Sequence, residues 1–338
     1  MKSVVSQVEV LLATYNGEHF LSEQIDSILS QDYDGLRVVA RDDGSTDATR
    51  TLLEQYARRY PERFKLMPMD TPSGGAKWNF MRLLGQSSAQ YVCFADQDDV
   101  WKADKVSSSM NRMSALEARH GKEMPLLVFS DLEVVKDQLD RINASFWGYQ
   151  GIVPVNIHRF SRLLTQNVVT GCTALINRPL AELAMTMPAE SYMHDWWIAL
   201  MACAFGDADY IPEATVLYRQ HGANVVGAVE HGKPNLVPRW RYHDMRRAQW
   251  EQSEKQAEAL LRLHGARLPQ EKVAILEDYV RCEESDNRWV RVFTVIRRGF
   301  FQVGLRPTLA ILWYLFDMKA AKRSDRLRFG DDRVQGES

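Results

Sequence analysis

The sequence predicts an α/β fold: a mostly parallel sheet flanked by helices, followed by a C-terminal helical appendage. Two observations predict this fold. As far as about residue 130, short apolar segments alternate with segments whose apolar residues recur at helical spacing, which is the pattern of β-α-β units. From Pro238 to Arg328 the pattern is mainly helical. We therefore expect one domain over residues 1–234, with halves at about 1–130 and 131–234, and a helical region over 235–338.

The elements follow from this pattern in chain order. Predicted strands cover Val8–Ala13, Leu36–Arg41, Phe64–Met69, Tyr91–Ala95, Leu126–Ser130, Val168–Ile176 and Ala214–Tyr218. Predicted helices begin near Phe20, Ser45, Trp78, Asp104 and His194. A strand over Val168–Ile176 would have Gly171 inside it.

The composition describes a globular protein, with 45% apolar and 25% charged residues in 338 and a net charge of −2. These values exclude a disordered chain, a collagen-like chain and a wholly basic nucleic-acid binder. The four cysteines form no C-x-x-C pair, and we expect them to be small buried side chains in a reducing compartment. No apolar run approaches 18 residues and the N-terminus lacks the signal-peptide pattern, so a cytoplasmic protein is expected.

Polar clusters stand at the ends of three predicted strands. They are Thr14-Tyr15-Asn16, Arg41-Asp42-Asp43 and Asp96-Gln97-Asp98-Asp99. Because ligands bind beyond the carboxyl ends of parallel strands, these clusters predict a site at one edge of the sheet. Three carboxylates within four residues repel one another and call for a cation, and hard oxygen ligands favour Mg²⁺ or Mn²⁺. Asp99 either joins that site or caps the following helix.

Other positions carry a functional and a structural interpretation that the residues alone leave open. Asp42 and Asp43 can bind a base or ribose, or form a turn before a helix. Lys77 can meet a phosphate as a point charge, although Trp78 excludes a P-loop. Asp195, beside two tryptophans, can be a general base or a residue favoured at a helix N-terminus. Arg219 can bind a diphosphate.

In combination these features resemble the family 2 glycosyltransferases of the GT-A fold. The resemblance rests on the segments 10–17 and 42–47 and on the D-x-D-D motif at 96–99. A finer pattern resembles bacterial rhamnosyltransferases. It consists of the segments 96–101, His194-Asp195-Trp196-Trp197, and Tyr218-Arg219-Gln220-His221-Gly222 with Asn224. The resemblance covers about residues 1–230 and implies a donor half at 1–130 and an acceptor half at 131–234.

The resemblance also implies roles, which join the expectations from single residues. Nucleotide-sugar contacts are expected from Thr14, Tyr15, Asn16, Asp42, Asp43, Lys77, Asp96, Gln97 and Arg219. Sugar or acceptor contacts are expected from Gly171, Cys172, Thr173, His194, Trp196 and Trp197. Asp195 matches the family's catalytic base. Asp96, Asp98 and His221 match the metal site, with Asp99 as a further candidate ligand.

The implied activity is inverting transfer of L-rhamnose from dTDP-β-L-rhamnose to a hydroxyl of a growing cell-surface polysaccharide, such as O-antigen or capsule. An alternative keeps the mechanism but uses a UDP-hexose or a UDP-N-acetylhexosamine. A nucleotidyltransferase is a further alternative, but it would be expected to have a glycine-rich signature at the position that Thr14-Tyr15-Asn16-Gly17 occupies. An inactive sugar-binding protein would not need Asp96, Asp98, Asp195 and His221 together.

The C-terminal region has a different charge character. Residues 1–234 carry a net −7 and residues 235–338 a net +5. Segment 288–328 holds ten Lys or Arg and two Asp among many aromatic and aliphatic residues. This pattern is typical of helices on an anionic membrane, here the inner face of the plasma membrane, where the acceptor would be lipid-linked. Packing on the catalytic domain and a homo-oligomer interface are the alternatives.

Overall fold

A computed structural model describes residues 7–68, 71–221 and 239–317, apart from the side chains of 239–243, 305, 306 and 317. The chain divides into two units, Met1–Pro234 and Asn235–Ser338. The first unit contains the sheet, and the described residues of the second, 239–317, form helices and their connections.

The strands of the first unit begin and end close to the predicted residues in the first half of the chain. They are β1 Val8–Thr14, β2 Leu36–Asp42, β3 Phe64–Leu66, β4 Tyr91–Ala95, β5 Val100–Trp101, β6 Leu126–Val135, β7 Arg141–Asn143, β8 Leu175–Asn177 and β9 Asp207–Arg219. Its helices are α1 Leu21–Leu29, α2 Thr49–Arg59, α3 Ala76–Gln86, α4 Lys105–His120, α5 Phe146–Gln150, α6 Phe160–Thr165, α7 Arg178–Ala184 and α8 His194–Phe205.

The sheet has the strand order β3-β2-β1-β4-β8-β6-β9-β5, with β7 beside β6. Strands β1 to β4 are parallel to one another, and Val10 lies between Val38 and Cys93 in register. The carboxyl ends of these strands therefore meet at one edge, where Thr14 is paired with Asp42. This edge carries the three predicted polar clusters.

The α/β class is confirmed, and parallel pairing joins β1 to β4 and also joins β6 to β9. Strand β8 is antiparallel to both β4 and β6, and β5 is antiparallel to β9, so the second half of the sheet is mixed. The predicted strand Val168–Ile176 is wrong: a 3₁₀ turn over Gly171–Thr173 precedes the short β8. A side chain at Gly171 would place its Cβ 2.9 Å from Nε2 of His194, so the turn needs glycine to approach α8.

The second unit is helical, as predicted. It contains α9 Arg239–His264, α10 Gln270–Val280, α11 Arg288–Arg298 and α12 Leu305–Asp317. Tyr279 lies at its centre, with ring centroids 4.7 Å from Trp250 and 4.8 Å from Phe300. Within the described residues, no helix combines the length and the apolar content that crossing a bilayer requires.

Candidate active site

The loops that follow β1 and β2 are joined by hydrogen bonds through Asn16. Its backbone has a φ of 49°, a left-handed conformation that asparagine tolerates better than most residues. The Asn16 N–H donates to Oγ of Ser45 over 2.8 Å, and Oδ1 of Asn16 accepts from the Thr46 N–H over 2.8 Å. Asn16 thus connects the two strand ends.

The Asp42 carboxylate points into the region where the loops after β1 and β2 meet. The residue is 1% exposed, and its carboxylate accepts from the hydroxyl of Thr14 over 3.2 Å and from the N–H of Ser45 over 3.0 Å. The Ser45 hydroxyl donates to the same carboxylate. These bonds satisfy the carboxylate within the protein, and Thr14, itself 1% exposed, is one of its donors.

Asp43 belongs to a buried polar network that the sequence did not reveal. Its Oδ1 accepts from Nη1 of Arg41 over 2.8 Å, and its Oδ2 accepts from the hydroxyl of Ser73 over 2.7 Å. Arg41 also donates to Oδ1 of Asn79 over 2.8 Å. Burial opposes ionisation of Asp43, but the bonds from Arg41 and Ser73 prevail and lower the pKa of its carboxyl. Asp43 is therefore an ionised acceptor at the sheet edge.

Asn79 was missed because it reads as an ordinary residue of its helix. Arg41 was predicted as a member of the polar cluster at the end of its strand, directly before two aspartates, but without a role of its own.

Gln97 connects the β4 end to the β1 end. Its Oε1 accepts from the Tyr15 N–H over 2.8 Å, and its Nε2 donates to the Tyr15 carbonyl over 2.9 Å. A Cβ at Gly17 would lie 2.3 Å from Oε1 of Gln97, so glycine provides the space for this pairing. The ring of Tyr15 is left 57% exposed.

Two aspartates that follow β4 lie close to the Cys172 thiol of the 3₁₀ turn. Ligand atoms of Asp96, Asp99 and Cys172 all lie within 4.8 Å of one another. Burial, together with the charges of Asp98 and Asp195, raises the pKa of Asp96 well above its usual range. Burial and the charges of Asp98 and Asp96 do the same for Asp99. Asp99 does not cap the next helix, because α4 begins at Lys105 after Asp104.

His221 lies beside this acidic cluster, as the sequence suggested. Its Nε2 is 2.8 Å from Oδ2 of Asp98. Gly222 and Asn224, from the same motif, lie outside the described residues.

The chemistry of these groups fits a hard divalent cation. Carboxylate oxygens of Asp96 and Asp99 lie near each other, an imidazole nitrogen contacts the neighbouring Asp98, and the carboxylates repel one another without a cation. Among the described residues, Oδ2 of Asp99 is buried and has no hydrogen-bond partner. A buried carboxylate oxygen of that kind is costly unless something compensates it. Cys172 is adjacent to the same position and was predicted only as a sugar contact.

Arg219 is buried and its guanidinium is bonded to the protein. Its Nε donates to the Asp98 carbonyl over 2.8 Å, its Nη2 to Oε2 of Glu23 over 2.5 Å, and its Nη1 to the Asp137 carbonyl. Its backbone N–H donates to Oδ1 of Asp99 over 3.3 Å. Arg219 therefore connects the acidic loop to α1 and to the turn after β6.

Lys77, in the first turn of α3, also faces backbone carbonyls. Its Nζ donates to the carbonyl oxygens of Ser191 over 2.6 Å and Ala189 over 3.1 Å. Lys77 thereby ties the donor half to the segment that precedes α8.

Asp195 is at the start of α8, half-buried beside the 3₁₀ turn. Its Oδ2 accepts from the Gly171 N–H over 3.2 Å and its Oδ1 from the Trp196 N–H over 2.6 Å. Burial raises the pKa of Asp195 to about 6, against the opposing effect of these hydrogen bonds. Because Asp195 accepts from Gly171, and the next residue, Cys172, has its ligand atom within 4.8 Å of those of Asp96 and Asp99, Asp195 lies beside the acidic cluster.

The neighbours of Asp195 in sequence lie in the core, contrary to the expectation of sugar contacts. Trp196 and Trp197 are 2% and 0% exposed, and the Trp196 indole donates to the Leu163 carbonyl over 2.6 Å. The ring of His194 lies 4.3 Å from that of Phe80, and burial lowers its pKa to about 3. Helix α8 is enclosed and is apolar on all sides. Asp195 is therefore the residue through which this helix contributes to the site.

Gly171, Cys172 and Thr173 form the 3₁₀ turn that faces Asp195 and the acidic cluster. All three are buried, and the Thr173 hydroxyl donates to the Thr170 carbonyl over 2.7 Å. The turn therefore brings backbone and the Cys172 thiol to the site, while the Thr173 side chain is bonded locally.

Residues 9–121 match the family model described as glycosyl transferase family 2. These residues are a family 2 glycosyltransferase domain. The domain includes β1 to β4 and the acidic cluster after β4.

One curated relative is similar over a longer stretch than the family model, and others over shorter ones. A dTDP-rhamnosyl transferase RfbG of Shigella flexneri is 29% identical over 229 residues, 64% of this chain and 74% of the relative. Another relative, alr2836 of Nostoc, a glycosyltransferase, is 33% identical over 101 residues, 30% of each chain. The chain therefore resembles rhamnosyltransferases of family 2.

Solved structures show the GT-A fold. S. aureus TarS, in a complex with UDP-GlcNAc, has a TM-score of 0.51 at 16% identity, covering 92% of this chain and 90% of that one. A mannosyltransferase of Pyrobaculum calidifontis, solved with GDP-Man and Mn²⁺, has a TM-score of 0.50 at 20% identity, covering 92% and 79%.

Proposed function

We propose that the glycosyltransferase transfers L-rhamnose from dTDP-β-L-rhamnose to a saccharide hydroxyl, with inversion at the anomeric carbon. One observation carries the mechanism: Asp195, with a pKa of about 6, shares a site with the acidic cluster of Asp96, Asp98, Asp99 and His221. The rhamnosyl donor is supported by the likeness to RfbG.

The nucleotide is assigned to the edge formed by the β1 and β2 ends. A carboxylate offers about four acceptor positions, and three of those on Asp43 are taken by Arg41 and Ser73. The remaining position accepts the N3–H of a pyrimidine. The exposed ring of Tyr15 packs against the base, and Thr14, Asn16, Asp42 and Gln97 hold the loops around it.

Asp96, Asp98 and His221 would hold Mg²⁺ or Mn²⁺, and Asp99, whose ligand atom lies near that of Asp96, is a further candidate ligand. When bound, the cation offsets the charge that develops on the diphosphate leaving group. Arg219 and Lys77 are positioning residues in this proposal, because both donate to protein acceptors. Arg219 fixes the acidic loop, and Lys77 fixes the segment before Asp195.

Asp195 is the general base. It takes the proton of the acceptor hydroxyl while that oxygen forms a bond to the anomeric carbon and the bond to the diphosphate breaks. A single displacement of this kind converts the β-linked donor into an α-linked product. The backbone N–H groups of Gly171 and Trp196 orient the carboxylate, and the acceptor lies over the 3₁₀ turn.

A donor screen tests the substrate assignment. With Mn²⁺ present, dTDP-L-rhamnose is expected to be hydrolysed or transferred at least about tenfold faster than UDP-glucose, UDP-galactose, UDP-GlcNAc or GDP-mannose, since a site with buried polar groups rejects poorly matched sugars. Release of nucleoside diphosphate is the measurement. Faster turnover of a UDP-sugar would assign the alternative donor, and release of pyrophosphate from a nucleoside triphosphate would contradict glycosyl transfer.

The pH dependence of turnover tests the assignment of Asp195 as the general base. Asp195 acts in its deprotonated form, so protonation removes activity as pH falls. Because burial raises its pKa to about 6, kcat/KM is expected to fall about tenfold per pH unit below about pH 6 and to be level above about pH 7. The profile is measured at saturating Mn²⁺. Unchanged activity down to pH 5 would contradict a buried base.

A further inference from the structure

Helix α11 has a buried face and, opposite to it, an exposed apolar face. Arg291 and Val295 face the interior of the helical unit and are buried. Trp289, Phe293 and Ile296, at positions i, i+4 and i+7, lie on the opposite face and are 67%, 63% and 54% exposed. Packing of α11 onto its own unit therefore accounts for one face only.

Helix α12 repeats this arrangement. Ala310, Ile311 and Leu315 are buried, whereas Leu309 and Trp313 are 52% and 60% exposed. Phe316 continues the outer row at i+7, and its ring lies 5.3 Å from that of Trp289. The outer rows of the two helices thus form one surface, which we call the apolar stripe. It consists of Trp289, Phe293, Ile296, Leu309, Trp313 and Phe316.

Exposed large apolar side chains are concentrated in this part of the chain. Among the described residues, six of the fourteen exposed large apolar side chains lie between 289 and 313. Contiguous exposed patches of this kind mark interaction surfaces, because exposing large apolar area to water is unfavourable.

Arginines accompany the stripe. Segment 288–317 contains five arginines and a single acid, Asp317. The Arg288 guanidinium lies 4.9 Å from the centre of the Phe316 ring, at the edge of the stripe. Arg297 and Arg298, at the end of α11, share one carboxylate, Asp278, over 2.5 Å each. Arg291 is buried, so Arg288, Arg297 and Arg298 supply the positive charge of α11 outside the interior.

This charge favours one binding partner of the stripe, an anionic bilayer, over another, a second copy of the chain. In a symmetric dimer, the same surface meets itself, so the arginine-rich surroundings of two stripes would face each other. An anionic bilayer instead supplies opposite charge to the arginines and apolar depth to the tryptophans. The sequence continues with five more Lys or Arg between 319 and 328, outside the described residues.

We infer that the apolar stripe docks on an anionic lipid surface, with Trp289, Phe293, Leu309 and Trp313 at the level of the headgroups and acyl-chain ends. Arginines at its edge bind lipid phosphates. The docking is interfacial, and it is independent of which sugar the catalytic domain transfers.

Vesicle flotation with the full chain tests this inference. Vesicles of phosphatidylcholine with 30% phosphatidylglycerol, a composition we choose as the probe, are compared with vesicles of phosphatidylcholine alone, at about 0.1 M salt. The wild type is expected to float with the anionic vesicles only. Phe293→Ser with Trp313→Ser, one change on each helix, is expected to lower the bound fraction about tenfold, because both exposed aromatics leave the interface.

Two further variants make the result specific. Met245→Ser with Leu263→Ser removes exposed apolar groups from α9, outside the stripe, and is expected to bind like the wild type. Arg288→Gln keeps the apolar stripe and is expected to weaken binding about fivefold, the equivalent of about 1 kcal/mol per basic residue. Thermal unfolding and sugar-nucleotide hydrolysis without lipid check that each variant is folded.

Three outcomes would overturn the inference: no flotation of the wild type with anionic vesicles, equal binding by the stripe variant and the α9 control, or a dimer in light scattering that the stripe variant converts to a monomer while vesicle binding is unchanged. The last of these would make the stripe an interface between copies of the chain.

Discussion

Asp195→Asn is expected to lower kcat about a thousandfold, within the range that a general base contributes, while donor affinity changes little. The amide cannot take the proton of the acceptor hydroxyl. The amide also has only one oxygen acceptor. In the wild type, the two carboxylate oxygens accept from the backbone N–H groups of Gly171 and Trp196. The donor pocket does not depend on Asp195, because the proposed base contacts are on β1 and β2. Loss therefore appears in kcat and not in the donor Kd.

Asp209→Asn is a matched control for this substitution. Asp209 is a half-buried carboxylate that pairs with Arg112 over 3.4 Å, outside the candidate site. Transfer at saturating donor and acceptor, together with calorimetric binding of the nucleotide, separates the two effects. Turnover of Asp195→Asn within tenfold of the Asp209→Asn value would assign the base to another residue.

Much of the candidate site could be predicted because strand ends are easy to locate in sequence. Thr14, Asp42 and Asp96 come together since parallel strands share one edge, and the sequence contains both the strands and their terminal residues. The pairing of His221 with Asp98 was expected only from resemblance. It depends on β9 and β5 running antiparallel in the second half of the sheet, and that strand order is not visible in local periodicity.

Burial is hard to predict from sequence because it depends on the tertiary environment. Trp196 and Trp197 follow the candidate base Asp195 in sequence, but α8 is enclosed, so both indoles are core residues. Diphosphate binding by Arg219 stays a prediction, and its guanidinium also donates to Glu23 and to two carbonyl groups of distant segments. Gly171 lies in a 3₁₀ turn, where the absence of a side chain leaves room for His194.

Asp98→Ala is expected to remove metal-dependent transfer, with turnover about a thousandfold lower and a much higher Mn²⁺ concentration at half-maximal rate. Asp98 is the carboxylate in contact with His221, over 2.8 Å between Oδ2 and Nε2. Its loss takes one oxygen ligand from the proposed centre and leaves the imidazole without the partner that orients it. Since charge on the diphosphate would then be poorly offset, both metal affinity and the rate of bond cleavage should fall.

Asp104→Ala is the control within the same segment, because Asp104 is exposed and its side chain makes no capping hydrogen bond to α4. Rates are measured across a Mn²⁺ titration, and thermal unfolding shows whether each variant is folded. His221→Ala is expected to raise the half-maximal Mn²⁺ concentration as well. If His221 and Asp98 serve one cation, the double variant should lose less than the product of the two single effects, since each single change already disrupts the same centre. Fully multiplicative losses would mean that the two side chains act independently, and the shared metal centre would be wrong.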